Sequence, residues 1–455
     1  MSAPKETGWL PDCVYTGEKF ETGLAFFADA VGRIVRFSRE PADLAGAHRL
    51  AGQAALPGLV NAHSHVVERV MRGRVAAGGR GEGEAYSSWR AAADRTVGRL
   101  AGEDVYDTAR VAFVEMLLSG ITCVGEFHYL HHQPDGMPLP EPNFLSQEVL
   151  RAAHDIGIRI ALLKVACARD GHPRSFTPKP EQFVREAEAL RTFVEKNHPA
   201  DEAWTGVAMQ NPRTVPLDYL KTVGAYAHTQ RLRLHVQVSE RADDNAACIA
   251  AHGRAPVALL AELGLVDKRF TAVGAIHITS EEAKLLGAAR AIVCVCPTAE
   301  RSLGLGAAPA DKLLAAGAGL ALGTDSAGQI DLFEEARLLE PALRAGRPPR
   351  AAFSVEAVTP LFNAATVAGA RSLGATGGAL EVGRPADFFT VSLLDPSLAG
   401  AEPAGLLGNL VFSPGRVAVR EVWIGARQLV VNGRHAQQGA IAGRFVELQR
   451  RLWTS

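Results

Sequence analysis

Long apolar runs are missing from this 455-residue chain. Charges or glycines interrupt each one well before the ~20 residues that a membrane-crossing helix needs. Net charge is missing too: 48 Lys and Arg against 49 Asp and Glu leave −1. That balance gives no electrostatic case for nucleic acid or an anionic membrane surface. Cysteine is scarce, with six at positions 13, 123, 167, 248, 294 and 296, five of them inside apolar segments. The pattern predicts reduced, buried thiols in a cytoplasmic protein rather than a disulfide framework. The first residues, MSAPKETGWLPD, carry neither a basic n-region nor an apolar h-region, so no secretory leader is expected. There is no repeat of fixed period and no low-complexity block.

What is present is an alternation. Strand-like runs stand at 55–65, 121–130, 159–167, 205–212, 232–240, 270–279, 291–298 and 319–327, each bounded by Gly, Pro or polar turns. Between them apolar residues recur at helical spacing, as in 103–120 with Val105, Ala109, Ala112, Phe113, Met116 and Leu117 on one stripe. Strands alternating with helices in this number predict an α/β fold, a (β/α)8 TIM-type barrel. The ends of the chain read differently, as strand–turn–strand. They predict a small β-sandwich domain built from residues 1–57 plus 372–455, closed by a helix over 439–453, beside a barrel over 58–371. Residues 73–86, GRVAAGGRGEGEAY, have glycines too irregular for a phosphate loop and read as a lid on the active-site face.

In such a barrel, chemistry sits at the C-terminal ends of the strands. Polar residues fall there repeatedly: His63 and His65, His128 and Tyr129, Gln210 and Arg213, His235, Gln237 and Glu240, His277, Cys296 and Thr298, and Asp325. A single buried His is ordinarily hydrogen-bonded core, but a set converging on one face reads as a site. In His63-Ser64-His65, alternate residues point the same way, so both imidazoles can share one ion. Asp325 in LGTDSA adds a carboxylate, although TDS is also good helix-capping chemistry. Cys294 and Cys296 share a strand face but read as small buried hydrophobes. Lys164, within an apolar run, is weighed as a second-metal device and set aside as core.

LPGLVNAHSH, a His at the sixth strand end and GTDSA resemble the amidohydrolase superfamily. Within it the chain is similar to the formimidoylglutamate deiminases, enzymes of histidine degradation that hydrolyse N-formimino-L-glutamate to N-formyl-L-glutamate and ammonia. The narrower likeness rests on GEFHYLHH (125–132), PRTV (212–215), TDSAGQIDLFEEARLLE (324–340), GALEVGRPAD (378–387) and VVNGRH (430–435). It implies one divalent ion, zinc or alternatively iron or another metal, held by His63, His65, Asp325 and a fifth-strand ligand. Glu240 matches the family's proton shuttle and His277 its sixth-strand His. The fifth-strand ligand position, three before Glu240, is Gln237. His235, one inward-facing step earlier, is the alternative. A neutral amide is a poorer zinc ligand than imidazole.

The resemblance implies that the ion acidifies water, Asp325 takes its proton, Glu240 protonates the departing amine and His277 supports the tetrahedral centre. Arg213 matches the position that grips a carboxylate, and Tyr129 one that hydrogen-bonds substrate. Glu68 stands where the family usually shows Gln, and Gln210 where it usually shows His. A carboxylate at 68 would repel a dicarboxylate and favour a cationic group. Three readings result: a deiminase acting on N-formimino-L-glutamate or a close analogue, a relative that deaminates or dechlorinates an aminated heterocycle or guanidine compound, and a metal-poor ligand-binding relative. The expected partner is a small molecule, and homodimers are common among relatives.

Overall fold

The computed structural model describes residues 6–73, 84–168, 173–177, 179–213, 215–344, 355–413 and 418–454. The lid expected at 73–86 falls largely on 74–83, outside the described residues. Eight parallel strands follow one another in chain order: β1 (Leu59–Ser64), β2 (Ile121–His128), β3 (Arg159–Ala166) and β4 (Ala203–Met209), then β5 (Leu234–Val238), β6 (Phe270–Gly274), β7 (Ile292–Val295) and β8 (Gly319–Leu322). Each residue of β1, β2 and β3 is buried, as near-continuous apolar strands covered on both faces should be. The intervening helices supply the cover. Helix Gly102–Leu118 turns the predicted stripe of Val105, Ala109, Ala112, Phe113, Met116 and Leu117 inward.

The barrel closes at β1 and β8, and it does so through the residues of interest. Thr324 and Asp325 donate their backbone N–H groups to the His63 carbonyl at 2.9 and 3.0 Å, and His65 N–H donates to the Asp325 carbonyl at 2.8 Å. Asn61 ties the same seam from the side, donating through Nδ2 to Thr324 Oγ1 and accepting Thr324 N–H at Oδ1.

The two chain ends meet in one nine-stranded mixed sheet. Strand His48–Pro57 pairs in parallel with Thr7–Tyr15 and antiparallel with Phe388–Ser392, which joins the N-terminal strands to those at 419–435. Its aromatic centre is Trp9, with ring centroids 5.2 to 5.3 Å from Phe26, Phe388 and Trp423. A buried fork fastens this sheet to the barrel: Arg159, first residue of β3, donates to both carboxylate oxygens of Asp387 at 2.5 and 2.9 Å. The last helix, Gln438–Trp453, lies on the helix after β1, with Arg444 and Arg451 reaching Asp107 and Asp104. No described helix is long and apolar enough to cross a membrane.

Candidate active site with a metal-ligand cluster

Barrel closure sets the first cluster. Because β1 and β8 are hydrogen-bonded to each other at His63, His65 and Asp325, their side chains face one another. His63 Nε2 and His65 Nε2 lie 3.3 and 3.4 Å from the same Asp325 oxygen. Ligand-type atoms of these three residues fall within 4.8 Å of one another, the only such group among the described residues. Asp325 sits at φ 45°, a left-handed backbone that few residues with a Cβ adopt. Arg69 braces that turn by donating to the Ala327 and Gly328 carbonyls at 2.6 and 2.7 Å, while Glu115 anchors the guanidinium from behind.

The donor set fits a divalent cation. His63 is fully buried; its Nδ1 has no hydrogen-bond partner among the described residues, and its Nε2 has only the approach to Asp325. His65 Nδ1 is paired with the Phe127 carbonyl at 3.1 Å, which orients Nε2 toward the cluster. Burial pushes the His63 imidazolium down, favouring the neutral ring that binds metal. Burial also opposes charge on His65, yet Glu68 and Asp325 outweigh it and raise that group to about 9. Burial would raise Asp325, but the two imidazoles hold it far below the carboxylate range. The cluster thus holds a proton that a cation would displace.

The β5–β6 side is built differently. Gln237 and Glu240 line the pocket that contains His65 and Asp325. Burial raises Glu240 well above the usual carboxylate range, and Asp325, Asp244 and Glu300 push it further, which favours its protonated form. Gly274, the last residue of β6 and at φ +82°, leaves it room: a Cβ there would stand 2.6 Å from Glu240 Cγ. The structure does not bring His235 to the cluster. Its Nε2 bonds the Ser372 carbonyl at 3.0 Å, in the helix Val367–Leu373, and it does not line the pocket. Nor does it bring His277 there. That ring is exposed and bonds the Leu305 carbonyl at 3.1 Å, because Ala275 at φ 52° turns the chain directly after β6.

The four expected substrate contacts share the pocket: Glu68, Tyr129, Gln210 and Arg213. Tyr129 donates to Glu68 Oε1 at 2.9 Å, Cys167 Sγ donates to Gln210 Oε1 at 3.0 Å, and Arg213 is paired with Asp244 at 3.1 Å. Sequence reasoning missed Trp89, Arg90 and Asp94, which enter from helix Glu84–Val97 with no local motif to mark them. It also missed Glu126, fully buried in β2, whose Oε1 accepts the Val66 N–H at 2.9 Å and so fixes the turn after His65. Its signal was an acid inside an apolar strand. Lys164 is engaged elsewhere, with Asn143 at 3.1 Å and Glu186 at 3.4 Å. Cys294 and Cys296 are packed among Ala62, Val273 and Ala321.

The family model "Amidohydrolase family" matches residues 54–435. The chain belongs to that family. It is 34% identical to the formimidoylglutamate deiminase of Pseudomonas aeruginosa, over 90% of this chain and 92% of the relative. It is 28% identical to the 5-methylthioadenosine/S-adenosylhomocysteine deaminase of Moorella thermoacetica, over 83% and 82%. Among solved structures, an amidohydrolase from Brucella melitensis superposes with a TM-score of 0.88 at 28% identity, covering 98% of this chain and 99% of that one. An adenosine deaminase from Xanthomonas campestris with bound zinc shares the fold at TM-score 0.84 and 23% identity, covering 99% of each chain. The amidohydrolase described here therefore has the expected α/β barrel and is an enzyme of a superfamily whose deiminases and deaminases act on C–N bonds.

Proposed function

We propose that this amidohydrolase is a metal-dependent deiminase that hydrolyses the C–N bond of a small amidine, N-formimino-L-glutamate or a close analogue, to the formyl product and ammonia. His63, His65 and Asp325 would hold one divalent ion, zinc in the first instance, with the Gln237 amide on the adjoining wall. When bound, such an ion acidifies water and polarises the reacting carbon. Asp325 is ionised in this cluster and, with His63 and His65 engaged by the ion rather than by its carboxylate, would be able to take a proton from the attacking water. Glu240 does the opposite task. Its burial among other acids favours the protonated form, which can deliver its proton to the leaving nitrogen so that neutral ammonia departs. The single observation that carries the reading is the His63, His65 and Asp325 cluster opening on a pocket that Glu240 also lines.

Ammonia release by the zinc-loaded protein, screened over formimino-amino acids, guanidino acids and aminated heterocycles, tests it. Release from a formimino compound is the expected result; release from a heterocycle alone would move the enzyme to the deaminase relatives. A second reading, a metal-poor binding protein, draws on Gln237 and on His277 facing away. It predicts a purified protein with no divalent metal and no hydrolysis of any of these compounds.

A further inference from the structure

Glu68 is only 6% exposed, yet one of its carboxylate oxygens has work and the other has none. Tyr129 donates to Oε1 at 2.9 Å; Oε2 is buried without a hydrogen-bond partner among the described residues. The side chain lines the pocket that also holds His65, Glu240 and Asp325. Burying an unpaired carboxylate oxygen is costly unless a donor arrives. The pocket's own arginines do not fill that place: Arg90 is bonded to Asp94 at 3.0 Å and Arg213 to Asp244 at 3.1 Å. Both arginines of the wall are thus matched by acids and His65, the other cationic neighbour, belongs to the metal-ligand cluster, so Glu68 Oε2 is left without a donor beside the substrate space.

We infer that Glu68 is the specificity-determining counter-ion for a cationic N–H group of the substrate, an amidinium or guanidinium. Tyr129 fixes one oxygen, and the other stays available for a charge-assisted hydrogen bond from the planar cation. A neutral amide at this position offers no such charge, so the substrate is recognised in its protonated form. The inference deepens the proposed deiminase reading and rests on the same pocket.

The test separates recognition from turnover. Phenylguanidinium and its neutral isostere phenylurea are titrated calorimetrically into the zinc-loaded protein and into Glu68→Gln. The wild type is expected to prefer the cation by about tenfold or more, the worth of one charged hydrogen bond. Glu68→Gln should lose that preference while binding phenylurea as before. Should that variant unfold, Glu68→Asp, which withdraws the charge by one methylene, should weaken the cation and not the urea. A preference that survives Glu68→Gln, equal losses in Glu68→Asp, or no preference in the wild type would overturn the inference. Ammonia release is read separately. A cation preference without turnover defeats the deiminase reading alone, and turnover without the preference defeats this one alone.

Discussion

At the β1–β8 edge of the barrel mouth, His63, His65 and Asp325 are held by hydrogen bonds between their own backbones, with Asn61 and Arg69 as braces. At the β5–β6 edge the corresponding places hold Gln237 and Gly274, while His235 and His277 bond the Ser372 and Leu305 carbonyls. Both edges share one scaffold and one pocket, so the difference lies in side chains and not in strand placement. Closing the barrel and forming the ligand cluster are the same structural event at the first edge. At the second, Gln237 and Glu240 line the pocket and neither His235 nor His277 does. A barrel can therefore build half of a site through its own closure and leave the other half to the side chains that its remaining strand ends carry.

The largest effect should come from Glu240, the proposed proton donor on the β5–β6 side. Glu240→Gln removes the transferable proton, and ammonia release is expected to fall by about 10²–10⁴-fold. Metal content, measured on the same sample, should not change. An equal loss of metal would place Glu240 among the ligands and blur the contrast between the edges.

Arg69→Met attacks the β1–β8 edge without touching a ligand. It removes two donations to the turn that carries Asp325 and the ion pair with Glu115. We expect a loss of about 2–3 kcal/mol in denaturant unfolding, with weaker metal retention. Unchanged metal affinity in a destabilised protein would show that the brace serves the fold alone.

A separate effect is a pH slope. Burial raises Glu300 to about 8, while its Oε1 accepts the Cys296 N–H at 2.8 Å. Below about pH 4.5 both folded and unfolded chains hold this proton, so it contributes nothing. Between 4.5 and 8 the unfolded chain has lost it and the folded chain has not. Stability therefore falls as pH rises through that window, by up to about 1.4 kcal/mol per pH unit. Glu300→Gln keeps an acceptor for Cys296 and should flatten the decline in melting temperature between pH 5 and 8. An unaltered slope would assign the decline to other buried acids at this mouth.

Much of this was legible in the residues themselves. The alternation of apolar runs and helical stripes located every barrel strand, because strands covered on both faces must be apolar throughout. His63-Ser64-His65 and Asp325 were legible because spacing on one strand, and a strand end, determine where those side chains go. His277 was not, because its placement depends on the left-handed backbone of Ala275, which nothing in GAIHIT announces. Arg90 and Asp94 escaped for a different reason. Their place in the pocket depends on how helix Glu84–Val97 packs, and an Arg–Asp pair four apart reads as ordinary helix surface. The Arg159–Asp387 fork joins residues 228 apart, beyond any local pattern.

The unequal edges are tested most directly by metal content. Zinc per chain, measured by elemental analysis after dialysis, is compared in the wild type, His63→Ala, His235→Ala, His277→Ala and Gln237→His. The account predicts about one ion per chain in the wild type, loss in His63→Ala, no change in His235→Ala or His277→Ala, and tighter retention in Gln237→His. Metal lost on removing His235 or His277, or retained without His63, would contradict it.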